Sequence, residues 1–428
     1  MWKRCVFFKL ISNFAAKSLQ MAGLYLHIPF CKSRCIYCGF YSTTFHDLME
    51  EYVDALCREM SLRKEQWHRQ PCPISTIYLG GGTPSQLSPA LLHRLFHNIY
   101  KVYEVSADAE ITIECNPDDI TPEYAEALKA LPVNRVSMGA QTFSDDRLRF
   151  LHRRHTSDQV RTAVDLLRRN DIHNISIDLM FGFPQETIDD WQEDIRRALE
   201  LDVEHLSAYC LMIEEGTVLY EMMKEEGEKR KEERGERREE GEMRKEEGEE
   251  RREEELERQM YETLIDSLEA AGYEHYEISN FAREGFRSRH NSSYWNGTPY
   301  MGIGAAAHSY DVSTRYWNVS DIRQYIRRLK QGSLAIEETE VIDDITRYND
   351  LITTALRTRE GIDLSLLSAP KKNSPASGKA MPSFHRYLLE NAESHLRNGL
   401  LKEENHHIHL TRRGLFISDT IMSDLIYV

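Results

Sequence analysis

Short apolar runs and amphipathic stretches alternate along the first half of the chain. The apolar runs have the length and residue types of buried strands, and the stretches between them carry apolar residues at helical spacing. The predicted strands are 24–28, 76–79, 110–114, 135–141, 176–181 and 205–212, and the predicted helices are 48–67, 89–102, 122–130, 156–170 and 188–201. This alternation indicates an α/β fold with a parallel sheet. Six units suit a partial, open TIM-type (β/α)6 barrel, in which ligands gather at the carboxyl ends of the strands.

The second half of the chain has a different pattern. The tract from Glu225 to Gln259 consists of five charged heptads, EEGEKRK, EERGERR, EEGEMRK, EEGEERR and EEELERQ. It has no apolar seam, so it does not predict a coiled coil, and its glycines oppose a helix. We expect a solvated, frayed helix or a disordered surface insert. An amphipathic helix is predicted over 260–271, and from about residue 342 the pattern favours a small, mainly helical, winged-helix-like domain with a β element.

These patterns divide the chain into five parts. Residues 1–20 are interpreted as a non-native N-terminal extension, because Met21-Ala-Gly-Leu-Tyr leads straight into the first strand. Residues 21–220 form the barrel, 221–259 the charged insert, 260–340 the barrel completion, and 341–428 the C-terminal helical domain.

Composition narrows the classes of function. The net charge of −16 argues against a nucleic-acid-binding surface. A hydrophobic content of 41% supports an ordinary globular core. No apolar run approaches the ~20 residues that span a bilayer, and residues 1–20 match a signal peptide poorly, since Lys9 interrupts their apolar stretch. We therefore expect a cytoplasmic protein without a transmembrane segment.

Three cysteines lie in a short loop directly after the first predicted strand. Cys31, Cys35 and Cys38 have the spacing C-x3-C-x2-C. A cubane [4Fe–4S] cluster normally takes one thiolate per iron, so three cysteines would leave one iron open to a small molecule. A zinc site built from His27 and the same cysteines is the alternative, although its spacing matches no usual zinc pattern. A disulfide is less favoured, because eight cysteines in 428 residues do not indicate an oxidising compartment.

Glycine and polar residues stand at the ends of the following strands. The run Gly80-Gly-Gly-Thr-Pro-Ser follows the second strand, where backbone N–H groups can approach an anion closely. Glu114 ends the third strand and Gln141 the fourth. Asp178 lies within the apolar fifth strand, and a buried charge there must be paired or functional. Arg153 is a candidate partner for an anionic group, with a plain surface charge as the alternative.

The segment His27-Ile-Pro-Phe-Cys-Lys-Ser-Arg-Cys-Ile-Tyr-Cys resembles the radical S-adenosylmethionine (SAM) superfamily, and within it the HemN/HemW branch. The resemblance extends from about Met21 to the C-terminus. It implies a radical SAM barrel with a [4Fe–4S] cluster on the three cysteines and SAM as a second cofactor. It also implies that Tyr25, Gly81 and Glu114 contact the SAM on the cluster. A second pocket, which holds a second SAM in the HemN type, is implied to be lined by Tyr37, Gly82, Thr83, Gln141, Arg153, Asp178 and Met212.

Local features distinguish two types within the branch. The HemN type is an oxygen-independent coproporphyrinogen III oxidase that makes protoporphyrinogen IX, and the HemW type is a heme chaperone that delivers heme to respiratory client proteins. The HemN type has a further cysteine two residues after the third, where this chain has Phe40, and it has a longer N-terminal segment. Both departures favour the HemW type. They do not decide whether the protein also turns over a substrate as an enzyme.

The run His290-Asn-Ser-Ser-Tyr-Trp resembles the HemW pattern H-N-x-x-Y-W. His290 is therefore a candidate heme ligand, and His308 is a weaker candidate of the same kind. A hydrogen-bonded structural histidine is the alternative. The resemblance implies heme as cargo, with client proteins and an electron donor as partners. The oligomeric state is left open, a dimer included.

Overall fold

Six strands run parallel, in chain order, through the centre of the sheet in the computed structural model. They are β1 (Ala22–Ile28), β2 (Ile74–Gly81), β3 (Val105–Cys115), β4 (Arg135–Gln141), β5 (Asn174–Phe181) and β6 (His205–Cys210). The structure describes residues 22–68, 73–225, 240–367 and 383–428. The predicted N-terminal extension, residues 1–20, lies outside them. The prediction of an α/β fold with a parallel sheet is confirmed.

Helices connect successive strands and cover the outside of the sheet. They are Met49–His68, Pro89–Val102, Pro122–Lys129, Asp145–Phe150, Ser157–Arg169 and Ile188–Glu200. Their starts follow from local chemistry, since the hydroxyls of Ser88 and Thr121 accept hydrogen bonds from the first-turn N–H groups of Leu91 and Tyr124. The helix Asp145–Phe150 was not predicted. It is short, and it positions the segment that carries Arg153.

Six further strands extend the sheet on both sides. β9 (Tyr300–Ile303) pairs parallel to β1, and β10 (His308–Tyr310), β11 (Thr314–Asn318) and β12 (Ile336–Val341) follow it antiparallel. On the other side, β8 (Asn280–Ala282) and β7 (Glu274–Glu277) lie beyond β6. Within the described residues the two edge strands, β12 and β7, are not paired with each other, so the barrel is open as predicted.

A buried ion pair within the helix Met49–His68 is hydrogen-bonded to the added strands. Glu59 and Arg63 are 2.6 Å apart, and both side chains are fully buried. Glu59 also accepts hydrogen bonds from the backbone N–H of Gly304, the amide of Asn318 and the hydroxyl of Tyr325. Because buried charges persist only when they are paired and hydrogen-bonded, this network fixes β9 and β11 against the helix Met49–His68.

The charged insert continues directly into the next helix. The helix Glu240–Ala270 includes the predicted amphipathic segment and extends, in backbone conformation, through Gly241 and Gly248. This part is therefore more regular than expected from its glycines, because tertiary packing beyond Met260 anchors its C-terminal end. The first half of the insert, residues 226–239, lies outside the described residues.

The C-terminal region has its own hydrophobic core. Its helices are Asp344–Ala355, Phe384–Arg397, Arg412–Leu415 and Ser418–Leu425, and its strands β13 (Ile362–Asp363), β14 (Leu401–Glu404) and β15 (His407–Leu410) form an antiparallel sheet in the order β13-β15-β14. The predicted helical domain with a β element is present. Two more helices, Arg289–Trp295 and Ile322–Lys330, belong to the barrel completion. Among the described residues, no helix is both long enough and apolar enough to span a membrane.

Candidate functional site

The cysteine loop leaves the carboxyl end of β1 and is held at its base by main-chain hydrogen bonds. The N–H of Cys31 donates to the carbonyl of Thr43 at 2.9 Å, and the N–H of Thr43 donates to the carbonyl of Pro29 at 2.7 Å. Cys31, Cys35 and Cys38 are partly exposed, are not in disulfides, and line one side of a cavity of about 650 Å³. The loop thus presents three thiols to a cavity at the end of the barrel where ligands were expected.

The arrangement of the thiols fits a cluster better than a single zinc ion. Among the described residues, no group of three or more His, Cys, Asp or Glu side chains converges closely enough to hold one metal ion. A cubane requires one thiolate on each of three different irons, so its cysteines lie further apart than zinc ligands do. His27, the fourth ligand of the zinc alternative, is 6% exposed. Its Nδ1 and Nε2 are already engaged by the Tyr25 hydroxyl and the Tyr41 carbonyl, at 3.0 and 3.1 Å.

The glycine loop at the end of β2 packs directly against the cysteine loop. Gly81 has a φ of +111°, which disfavours any side chain there. A Cβ on Gly82 would approach the Pro29 backbone within 2.7 Å and the Cys31 sulfur within 3.1 Å. The Thr83 hydroxyl lies 3.5 Å from the same sulfur. Gly81, predicted to contact the SAM on the cluster, therefore lies in one backbone segment with Gly82 and Thr83, predicted to line the second pocket, beside the first thiol.

Glu114 is fixed between two groups that the sequence did not connect. Its Oε1 accepts a hydrogen bond from the Tyr78 hydroxyl at 2.7 Å, and its Oε2 accepts one from the N–H of Gly81 at 3.1 Å. Burial raises its pKa to about 7, and the charge of Asp178 adds to this. Tyr25 stands one layer away: its ring stacks on Tyr78 at 6.2 Å, and it is absent from the cavity lining that holds the other predicted SAM contacts.

Arg153 faces the cysteine loop from inside the protein. Its Nη1 lies 3.7 Å from the Cys35 sulfur, and its Nη2 donates to the Asn116 side chain at 2.9 Å and to the carbonyl of Gly139. A Cβ at Gly139 would lie 3.1 Å from this Nη2, so the glycine makes room for the guanidinium. The alternative of a plain surface charge is wrong for Arg153. Its neighbour Arg154 forms ion pairs with Asp118 and Asp119 instead.

The floor of the cavity carries opposite charges on adjacent strands. Asp178 on β5 is 3.5 Å from the Ser137 hydroxyl, and burial raises its pKa. Arg135 on β4 lines the same cavity with only 1% exposure, and its Nε has no hydrogen-bond partner among the described residues. Gln141 has a φ of +67°, an uncommon backbone for a residue with a side chain and one often found at functional sites. Met212 lies at the mouth, 66% exposed.

Comparison with known proteins agrees with this geometry. A family model of the radical SAM superfamily matches residues 25–198, and one of the HemN C-terminal domain matches residues 342–417. A Bacillus subtilis protein named heme chaperone HemW is 32% identical, over 94% of this chain and 98% of its own. The chain belongs to the HemW family of the radical SAM superfamily. A HemW of Lactococcus lactis is 30% identical over 93% of this chain and 95% of its own.

The fold of this HemW-family chain is also that of a solved structure. Coproporphyrinogen III oxidase (HemN) from Escherichia coli superimposes with a TM-score of 0.76, over 97% of this chain and 93% of that one, at 20% sequence identity. The match confirms the predicted radical SAM barrel. Membership in the superfamily implies a [4Fe–4S] cluster and SAM, and the thiol loop, the glycine segment and Glu114 are chemically suited to both.

The two histidines considered as heme ligands have different surroundings in this HemW-family fold. His290 is 1% exposed, and its Nδ1 and Nε2 are 2.8 Å from the Thr76 hydroxyl and 2.9 Å from the Tyr294 hydroxyl. Burial lowers its pKa to about 3. These contacts favour the alternative of a hydrogen-bonded structural histidine. His308 lies on β10, where its ring stacks on Trp317 at 5.4 Å, and it does not line the thiol cavity.

Several cavity residues were missed by reasoning from the sequence. They are Tyr78, Arg135, Ser137, Ser176, Ser207 and Tyr209. All of them except Tyr78 lie at alternate positions on their strands, two residues from another lining residue, as with Ser137 and Gly139 on β4 or Ser176 and Asp178 on β5. Side chains alternate between the two faces of a strand. The period-two spacing of polar residues within the apolar strands was the signal that would have identified them.

Proposed function

We propose that this HemW-family chain is a heme chaperone that binds heme, carries a [4Fe–4S] cluster with SAM, and delivers heme to respiratory client proteins. The observation that carries the proposal is the similarity, at 30–32% identity over more than nine-tenths of the chain, to proteins named heme chaperone HemW. Phe40, at the position of a further cysteine in the oxidase type, supports the same choice. Its side chain is 72% exposed at the cavity mouth and has no atom that can bind iron.

The chain's own residues would hold the cofactors as follows. Cys31, Cys35 and Cys38 supply one thiolate each to three irons. The N–H groups of the glycine segment receive the amino-acid end of SAM, and Glu114, oriented by Tyr78, attracts its positive charge. When bound, a cluster of this type supplies one electron to SAM, which is the redox chemistry of the superfamily. Arg153 places a positive charge beside the Cys35 sulfur.

Titration of hemin into the purified full-length protein tests the proposal. A saturable shift of the Soret band is expected. Iron-free protoporphyrin IX serves as the matched ligand, because it separates binding of the macrocycle from ligation of the iron. The alternative function is oxidation of coproporphyrinogen III, for which the cavity carries all of the predicted SAM residues except Tyr25. Conversion of that substrate under anaerobic conditions with SAM and a reductant, together with no saturable heme binding, would overturn the chaperone proposal.

A further inference from the structure

A second cavity, of about 730 Å³, lies between the barrel and the C-terminal domain. This volume is in the range of pockets that enclose cofactors and drug-sized ligands, roughly 300–1,000 Å³. One wall is formed by the end of the helix Arg289–Trp295 and by β9 and β10, and the other by the helix Asp344–Ala355 and the turn before β13. The H-N-x-x-Y-W segment therefore separates this cavity from the thiol cavity, and its tyrosine and tryptophan face away from the cysteines.

The barrel side of this interdomain cavity is built of aromatic rings. Tyr276, Tyr294, Trp295, Tyr300 and Tyr310 line it. The rings of Tyr294 and Tyr300 meet edge to face at 4.7 Å, and those of Tyr300 and Tyr310 are 6.3 Å apart. The opposite side offers the apolar side chains of Leu351 and Leu366, the latter 62% exposed. Such walls suit a large, flat, apolar ring system, which gains both from burial and from contact with aromatic faces.

His407 on β15 lines the same cavity, and its Nε2 has no hydrogen-bond partner among the described residues. Its Nδ1 is 3.0 Å from the carbonyl of Asn405, so this nitrogen carries the proton and donates it. In the neutral ring Nε2 is then an unprotonated acceptor. A histidine whose Nδ1–H is held by a backbone carbonyl is the usual arrangement of a metal ligand. His290 offers no such nitrogen, since both of its ring nitrogens are engaged.

Three arginines near the cavity edge offer guanidinium groups that can bind the carboxylates of a ligand. Arg287, Arg315 and Arg347 line it, each about one-third exposed. Asp350 and Glu360 also line it and are paired with Arg315 and Arg287. The lining is thus not positive on balance, and carboxylates would be recognised by individual guanidinium groups, whose five N–H donors are only partly used by these pairs.

We propose that this interdomain cavity is the heme-binding site and that His407 Nε2 is an axial ligand of the heme iron. The proposal rests on the heme chaperone function and adds to it the site and the ligand. The macrocycle lies between the tyrosine-rich wall and the Leu351–Leu366 side, and its carboxylates face the arginines. The thiol cavity and the heme cavity are then separate sites on opposite sides of the helix Arg289–Trp295.

Hemin titration of full-length variants tests this assignment. In His407→Ala the spectrum of histidine-ligated heme should be lost and the affinity for hemin should fall about tenfold or more. Added free imidazole should restore the spectrum, which a misfolded protein would not allow. His395→Ala is the matched control, because His395 lies in the same domain on the helix Phe384–Arg397, its Nε2 contacts Asp424, and it does not line the cavity. It should bind hemin as the unchanged protein does.

A second variant tests the cavity wall and leaves His407, the proposed ligand of the heme iron, unchanged. Leu366→Glu places a carboxylate against the macrocycle and removes an apolar contact, so it should weaken hemin binding about tenfold while retaining the imidazole spectrum. Absence of heme binding in the unchanged protein would overturn the chaperone function itself. Heme binding that is normal in His407→Ala and Leu366→Glu, or that is lost only in His290→Ala, would overturn this assignment and leave the chaperone function standing.

Discussion

His205 Nε2 and the Tyr276 hydroxyl share a 2.8 Å hydrogen bond across the wall between the two cavities. His205 is fully buried, and its Nδ1 lies 2.8 Å from the hydroxyl of Ser176. Ser176 lines the thiol cavity, and Tyr276 lines the interdomain cavity. Burial lowers the pKa of His205 well below its usual value, so the ring is neutral and one nitrogen donates while the other accepts. Three side chains thus form a continuous buried hydrogen-bond chain from one cavity to the other.

Breaking this chain should destabilise the fold. In Tyr276→Phe the buried His205 loses a partner, and so does the backbone N–H of Ser288, which donates to the same hydroxyl. An unsatisfied buried polar group costs about 1–3 kcal/mol. The free energy of unfolding, measured in urea, should fall by that amount. Tyr100→Phe, at a half-exposed ring, is the control and should stay within about 0.5 kcal/mol. Equal stability of both variants would show that the chain contributes nothing.

Breaking the buried ion pair between Glu59 and Arg63 should destabilise the fold more than breaking the hydrogen-bond chain through His205. Glu59→Ala leaves Arg63 as an uncompensated buried charge, for which losses of about 3–5 kcal/mol are typical. A lower midpoint of urea unfolding is the readout. Glu193→Ala, which breaks an exposed pair with Arg196, should leave the midpoint nearly unchanged, because solvent screens exposed ion pairs. If Glu59→Ala were as mild as this control, the network would not fix β9 to the first helix.

Glu114 should make stability depend on pH. Its pKa of about 7 in the folded protein exceeds the ordinary value of 4.5, so between these two pH values the folded state holds a proton that the unfolded chain has released. Its contribution to stability is therefore present below about pH 4.5 and is lost as the pH rises to about 7. As the pH rises from about 4.5 to about 7, the melting temperature of the unchanged protein should fall relative to that of Glu114→Gln, which has no carboxyl group to ionise at this position. A difference that is constant with pH would contradict the assigned pKa.

Substitution of one cysteine in the loop should remove the iron–sulfur cluster and leave the zinc content unchanged. Cys35→Ser should abolish the broad cluster absorbance of anaerobically prepared protein, because one iron loses its thiolate. Iron content should fall while zinc content stays unchanged. Cys57→Ser is the matched control, since Cys57 lies on the helix Met49–His68 and not in the cavity lining. Bound zinc without iron in the unchanged protein would revive the zinc alternative.

The parallel strands were predictable because each is a short apolar run followed by an amphipathic helix, and the boundaries of β4 agree to the residue. Strands β9 to β12 were not identified, because they are three to six residues long, rich in tyrosine and charge, and stabilised by pairing with distant segments. The thiol loop and Glu114 were recognised from residue type and position. The surroundings of His290 depend on Thr76 and Tyr294, and on its stacking against Tyr78 at 5.0 Å, which no local pattern reveals.

The position of β1 between β2 and β9 has a consequence for the timing of assembly. The cysteine loop emerges from the ribosome early, yet β9 begins 269 residues after Cys31. At about 5–20 residues per second, synthesis of the intervening chain takes roughly 15–50 s. During that interval β1 lacks one of its two neighbours and the Glu59 network has no partner strands. A cluster inserted into the nascent chain would rest on an incomplete scaffold, so we expect any cluster to be inserted after translation has passed residue 300.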